Sequence, residues 1–181
     1  EVVDCADPRQ ALGLLARARY GTASLPFPVV GVTGTNGKTT VCGLIADIVA
    51  AGGRKVFLLG NVGTPVSAKA AETENGGVCV IEASSFQLER VDCFRPKVAA
   101  LLNIAPDHID RHGDMESYIK AKLRIFENQT EDDFAVLNAD DAHVAAMAPL
   151  APQGHVFWFG MAGDNAEASA GNAASGKSDA L

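Results

Sequence analysis

The 181-residue chain has no uninterrupted apolar run long enough for a helix to cross a bilayer, although 48% of its residues are hydrophobic. That combination points to a globular domain with a real core and no membrane partner. Basic residues are outnumbered, 15 against 22 acidic, for a formal net charge of −7. Such a balance argues against a nucleic-acid partner, because phosphate backbones recruit basic surfaces. It leaves nucleotides open, since a local glycine loop holds phosphates on an acidic protein. The four cysteines (Cys5, Cys42, Cys79 and Cys93) are far apart and lack metal-ligand spacing. Cys42 and Cys79 fall in core-like runs and are expected to be buried free thiols in a reducing, cytoplasmic compartment. No initiator Met or signal peptide opens the sequence, so residue 1 reads as a cut point and the chain as a piece of a longer one.

Short apolar runs alternate with helical patterns between residues 28 and 160. "VVGV", "KVFLL", "GVCVI", "AALLNI", "FAVLN" and "HVFWF" read as strands, with helices over Thr39–Ala51, "PVSAKAA", "DMESYIKAKLRIFEN" and "DDAHVAAMA". Near-continuous apolar strands alternating with helices predict an α/β fold, a doubly wound, mostly parallel sheet. Residues 1–27 read as a lead-in helix and linker from a preceding domain, with the helix in "DPRQALGLLARARY". Residues 161–181 are rich in Ala, Gly, Ser and Asn, a composition that predicts a flexible tail.

The chemistry starts at "GVTGTNGKTT", residues 31–40, between the first strand and the first long helix. Gly34 and Gly37 allow backbone angles that turn successive N–H groups inward as an anion nest. The helix start adds unpaired N–H groups and the positive end of its dipole. Lys38 supplies a mobile cation, and the Thr39 hydroxyl suits a magnesium ion. Gly34, Thr35, Asn36, Gly37, Lys38, Thr39 and Thr40 are therefore the candidate ATP-binding residues of a P-loop. The usual first glycine is replaced by Val32. The competing reading is a plain Gly/Asn turn before a capped helix.

Ligands of open α/β sheets bind beyond the carboxyl ends of the strands. Polar residues recur there: Asn61 after "KVFLL", Glu82 and Ser84 after "VCVI", Asp107 and His108 after "ALLNI", and Asn138 and Asp140 after "AVL". Glu82 is placed to reach a magnesium held by Thr39, or else is an ordinary loop carboxylate. His108 lies in an Asp- and His-rich loop where a ligand role and a solvated loop are equally open. Asp114 is the expected cap of the next helix. On that helix Met115, Tyr118, Ile119, Leu123 and Phe126 form an apolar stripe that contains Lys122. A lysine there either snorkels to water or is neutralised, paired or modified.

"TGTNGKTT", "GNVGTP", "IEASSFQLE", "LNIAPDHIDRHG", "YIKAKLRIFEN" and "VLNADD" occur in that order. Together, over about residues 28–160, they resemble the central ATP-binding domain of the Mur ligases of peptidoglycan synthesis. "SSFQLE" with "AKLRIFEN" is most similar to the D-glutamate-adding branch. The resemblance implies an ATP-dependent acid–D-amino-acid ligase that joins D-glutamate to UDP-N-acetylmuramoyl-L-alanine through an acyl phosphate, in a monomer. It implies catalytic roles for Lys38, His108 and Lys122. Mg²⁺ would be held by Thr39, Glu82, His108 and a CO₂-derived carbamate on Lys122. Asn61, Ser84, Gln87 and His108 match the substrate cleft. Alternatives are a diaminopimelate- or lysine-adding relative, a folylpolyglutamate synthase, or a non-catalytic nucleotide-binding module. Residues 1–181 alone are expected to bind Mg-ATP weakly and not to ligate.

Overall fold

The computed structural model describes residues 28–73, 76–147 and 155–161. The lead-in helix, Cys5 and nearly all of the 161–181 tail lie outside them. The described elements are β1 (Val29–Thr33), α1 (Lys38–Ala51), β2 (Val56–Gly60), α2 (Val66–Thr73), β3 (Val78–Glu82), α3 (Ser85–Leu88), β4 (Val98–Leu101), α4 (Ile109–His112), α5 (Met115–Leu123), a 3₁₀ turn (Arg124–Phe126), β5 (Phe134–Asn138), α6 (Ala142–Ala146) and β6 (His155–Phe159). Among the described residues the six strands form one sheet in the order β2-β3-β1-β4-β5-β6. Every pairing in it is parallel. The doubly wound α/β fold expected from the alternating runs is therefore present, and the sheet is parallel throughout.

All five residues of β3 are buried, as expected for a strand covered on both faces. Alternation then sorts the strands between two layers. Val32, Val80, Ala100 and Leu102 face α1, where Cys42 packs. Ala99, Leu101, Ala135 and Leu137 face the opposite layer, with Tyr118, Ile125 and Phe126 from α5 and its 3₁₀ extension. Cys42 and Cys79 are buried free thiols, each pushed up to about 11 by burial. Cys93 is exposed.

β1 lies between β3 and β4. The chain leaves β1 toward β2 and β3 on one side, and β4 begins the other half of the sheet. This is a topological switch point, where the loops diverge and leave a crevice at the carboxyl edge. The turn after β1 opens into it. Two short helices leave no periodic signal in the sequence: α3 and α4 are each 4 residues long, too short to show a helical period. Both lie at this edge, after β3 and β4. Among the described residues no helix is long and apolar enough to cross a membrane.

Candidate active site

Residues 34–37 form the turn between β1 and α1. Gly37 is the N-cap of α1 at φ 79°, a left-handed conformation that glycine adopts without strain. No side chain caps α1, and its first turn carries no acid. The first helical N–H groups are thus open to an anion. The loop is held from outside. Asn103, just beyond β4, accepts hydrogen bonds from the Thr35 N–H (3.0 Å) and the Asn36 N–H (2.8 Å). Its amide donates to the Asn36 carbonyl at 3.0 Å. The Thr35 hydroxyl accepts from the Ala105 N–H at 2.9 Å and lies 3.1 Å from the Tyr118 hydroxyl. The loop is thus braced from the β4 and α5 sides, and the Thr35 and Asn36 N–H groups expected in an anion nest are spent on Asn103.

Lys38 folds back over this loop, donating to the carbonyls of Gly34 (3.1 Å) and Thr35 (2.9 Å). Lys122 reaches the same place from α5. It is 2% exposed and donates to the Gly34 carbonyl at 2.7 Å. Its ammonium also lies 4.6 Å from the centre of the Tyr118 ring. Burial lowers its pKa to about 8, with the charge of Lys38 adding to the effect and Asp107 opposing it. The lysine in the apolar stripe does not snorkel; two cations from distant elements share one carbonyl.

Glu82 ends β3 and is 3% exposed. The Thr39 hydroxyl donates to one of its oxygens at 2.8 Å, and the Asn61 amide to the other at 3.1 Å. β2 can approach this closely because residue 60 is glycine. A Cβ there would stand 2.2 Å from the Glu82 carbonyl oxygen, and the backbone has φ +116°. Among the described residues no cation pairs with the Glu82 carboxylate. A buried carboxylate with only neutral partners calls for a cation. Beside it, a cleft of about 110 Å³ is lined by Gln87, Leu88, Val91 and Phe94 among others.

Ser84 and Gln87 also meet, but on each other. Ser84 is the N-cap of α3 and the two side chains form a capping box. His108 is the N-cap of α4 with φ 52°, a left-handed conformation unusual for a residue with a side chain. Its ring is half exposed, 3.5 Å from the Asp107 carboxylate and 4.9 Å from the Phe86 ring. Asp114 caps α5 as expected, accepting from the Ser117 N–H at 2.7 Å. Asn138 and Asp140, by contrast, are spent on structure. Asn138 donates to the Leu102 carbonyl, and Asp140 accepts from the Met161 N–H.

The site thus gathers two groups at one sheet edge: Lys38 and Lys122 around Gly34, and Thr39, Asn61 and Glu82 around a carboxylate. Asn103 and Tyr118 were missed as functional residues. Asn103 falls inside the run "AALLNI" read as a strand, whereas β4 ends at Leu101 and leaves Asn103 at the strand exit. Tyr118 was hidden because its ring belongs to the apolar stripe.

A glycine turn at a switch point, an uncapped helix start, a loop lysine and a buried carboxylate together suit an anion and a cation at the carboxyl edge of an α/β domain. The Mur ligase middle domain family matches residues 32–180, and the chain belongs to that family. It is 44% identical over 151 residues to the UDP-N-acetylmuramoylalanine--D-glutamate ligase of Koribacter versatilis, covering 83% of this chain and 33% of that one. It is 55% identical over 121 residues to the ligase of the same name from Citrifermentans bemidjiense, covering 67% and 27%. The chain therefore spans about a third or less of these relatives. Among solved structures it resembles a UDP-N-acetylmuramoyl-L-alanyl-D-glutamate--2,6-diaminopimelate ligase, with TM-score 0.72, 28% identity and coverage of 90% and 38%. A MurF ligase from Thermotoga maritima in complex with ADP shares the fold at TM-score 0.66 and 24% identity, over 90% of this chain and 41% of that one.

Proposed function

We propose that this chain is the nucleotide-binding part of a cytoplasmic ligase that adds D-glutamate to UDP-N-acetylmuramoyl-L-alanine at the expense of ATP. The observation that carries the reading is the convergence of Lys38, Lys122 and the Thr39–Glu82 pair on the loop after β1. The choice of D-glutamate is supported by the likeness to ligases of that name.

The reaction would run in two steps. The acceptor carboxylate takes the γ-phosphoryl group of ATP, giving an acyl phosphate and ADP. The amine of D-glutamate then attacks the acyl carbon, loses a proton and expels phosphate, leaving an amide. Charge accumulates on the transferring group, so positioned cations and N–H donors do most of the work. The N–H groups of residues 37–40 would cradle the phosphates, those of Thr35 and Asn36 being engaged by Asn103. Lys38 would leave its carbonyl contacts and turn to the β- and γ-phosphates. His108, half exposed beside the α3 loop, would meet the acceptor end, along with Asn61, Ser84 and Gln87.

The donor set beside the loop fits magnesium: a hydroxyl and an otherwise uncompensated carboxylate, both hard oxygen ligands. Thr39 and Glu82 would hold that ion, which when bound neutralises phosphate charge. Lys122 fits the proposed carbamate. Its amine is depressed to about 8 and so has a larger neutral fraction available to add CO₂, with release of one proton. The N–H that remains could keep the bond to Gly34, and Lys38 would become a partner in place of a like charge. A carbamate oxygen and His108 would then serve a second magnesium.

The test is an assay of the complete ligase for ADP release and amide formation with D-glutamate. Amide formation with D-glutamate is the expected result. Use of diaminopimelate or lysine instead would reassign the branch, and ATP binding without turnover would make the chain a nucleotide-binding module. Lys38→Ala should lower turnover about a hundredfold or more, the usual scale for one transition-state cation. Near-normal turnover at saturating ATP would remove Lys38 from the mechanism.

A further inference from the structure

His112 closes α4, and its imidazole is 1% exposed. Nδ1 lies 2.9 Å from Glu89 Oε1, and Nε2 lies 3.0 Å from Ser85 Oγ. An ionised carboxylate only accepts, so Nδ1 carries a proton while Nε2 meets the serine hydroxyl. The ring stacks on Phe86, with centroids 5.4 Å apart and planes 6° from parallel, and meets the edge of Tyr118 at 5.2 Å. Phe86 in turn touches the His108 ring and lies 5.9 Å from the Arg111 guanidinium. This buried imidazole reaches the loop after β1 only through Tyr118, and replacing buried charged pairs by apolar residues is often neutral for stability.

The geometry of the network gives it a different task. Ser85, Phe86 and Glu89 belong to the turn after β3, which also bears Glu82, Ser84 and Gln87. His108 and His112 belong to the turn after β4. His112 is a buried polar clamp between these two turns, beside the more exposed Arg111–Glu89 pair at 3.8 Å, and Phe86 contacts both histidine rings. His108 also holds a left-handed backbone, which persists only where surrounding contacts overdetermine it. We propose that His112, oriented by Glu89 and Ser85, is a positioning residue that fixes His108 against the Ser84–Gln87 turn and so sets the geometry in which the acceptor carboxylate is received. The role rests on the ligase reading above. It is not a catalytic role, because the buried ring reaches no reacting atom.

The experiment has two arms. In the complete ligase, kcat and KM are measured for ATP and for the UDP-sugar acceptor separately. His112→Ala should lower kcat/KM for the acceptor at least about tenfold, the scale on which small misplacements act. The KM for ATP should change much less, because Asn103 holds the loop backbone directly and His112 reaches it only through Tyr118 and the Thr35 hydroxyl. Ser85→Ala removes one hydroxyl and should give the same acceptor-selective loss, smaller but measurable. His112→Asn keeps a donor toward Glu89 and should recover part of the rate. In the second arm, the ¹⁵N-histidine spectrum of the 181-residue chain should show a histidine protonated at Nδ1, lost in His112→Asn. The His108 signals should shift in Ser85→Ala. An unprotonated Nδ1, unmoved His108 signals, or equal losses for ATP and acceptor would overturn the proposal. So would wild-type acceptor kinetics in a folded Ser85→Ala. Should His112→Ala fail to fold, Ser85→Ala and His112→Asn decide. Inactivity of the wild-type ligase with this acceptor would sink the functional reading, and the spectra would still judge the clamp.

Discussion

Lys122 is where burial and charge conflict most plainly. A lysine whose folded pKa falls from 10.5 to about 8 binds its proton more weakly in the native state than in the unfolded chain. Below about pH 8 both states are charged and the native state bears the full desolvation cost. Between about pH 8 and 10.5 the unfolded chain holds more protons, so this residue makes stability rise with pH there. Lys122→Met should therefore raise stability at pH 7 by about 1–2 kcal/mol, as replacement of a buried charge by a matched apolar side chain often does. Thermal melts check this, and a lower Tm would mean that the bond to Gly34 outweighs the desolvation. In the complete ligase, Lys122→Ala should lose most activity and regain part of it with added acetate, which supplies the missing anion. Lys38→Ala, lacking a cation, should not respond. A ¹³C resonance from labelled bicarbonate, absent from Lys122→Ala, would report the carbamate directly. Failure of acetate on a folded Lys122→Ala would leave the lysine without that role.

At the scale of elements, the phosphate loop draws its order from β4. Asn103 ties two loop N–H groups and one carbonyl into place, so the loop's shape is set in folding and not in binding. Asn103→Ala should raise the KM for ATP about tenfold or more with a smaller change in kcat, as the loop loses up to three bonds worth about 1 kcal/mol each. Asn103→Asp keeps the acceptor but adds a negative charge beside bound phosphate, and should be worse than alanine. Steady-state kinetics at varied ATP separate the two. Equal KM values for wild type and Asn103→Ala would show that Thr35 and the backbone suffice.

Across the whole molecule, the two edges of the sheet have different jobs. The carboxyl edge collects the candidate site residues, and the amino edge collects a stabilising ion cluster. Asp133, before β5, has a side chain that is 1% exposed, with Arg95 Nε at 2.7 Å and Lys97 Nζ at 3.3 Å. Burial pushes its carboxyl up. The hydrogen bonds from Arg95 and the Thr130 N–H, with the nearby Lys97 ammonium, outweigh burial and hold it at about 2. The contribution is present above the unfolded value of 3.8 and is lost as pH falls through about 2. Because Arg95 and Lys97 are nearly half exposed, solvent screening limits it to about 1 kcal/mol. Asp133→Asn should lower Tm at pH 7, and the gap from wild type should close as pH approaches 2. A pH-independent gap would assign the loss to packing.

The sequence by itself determined the alternation of strands and helices, because apolar period and glycine punctuation are local properties. It also marked the candidate phosphate loop, whose seven residues are contiguous, and Glu82 and Lys122 as polar residues in apolar settings. It could not join them. Thr39 meets Glu82 across 43 positions, and Lys122 meets Gly34 across 88. Such contacts exist only once β1 sits between β3 and β4. The same closure reassigned residues that looked alike as strings. Asn103 became the anchor of the loop, Asn138 a brace for β4, and Ser84 and Gln87 the cap of α3. His112, one of two histidines in "DHIDRHG", became a buried clamp while His108 stayed half exposed. A four-residue helix carries no period that distinguishes its inner from its outer side chain. That choice belongs to packing, which only the assembled layers impose.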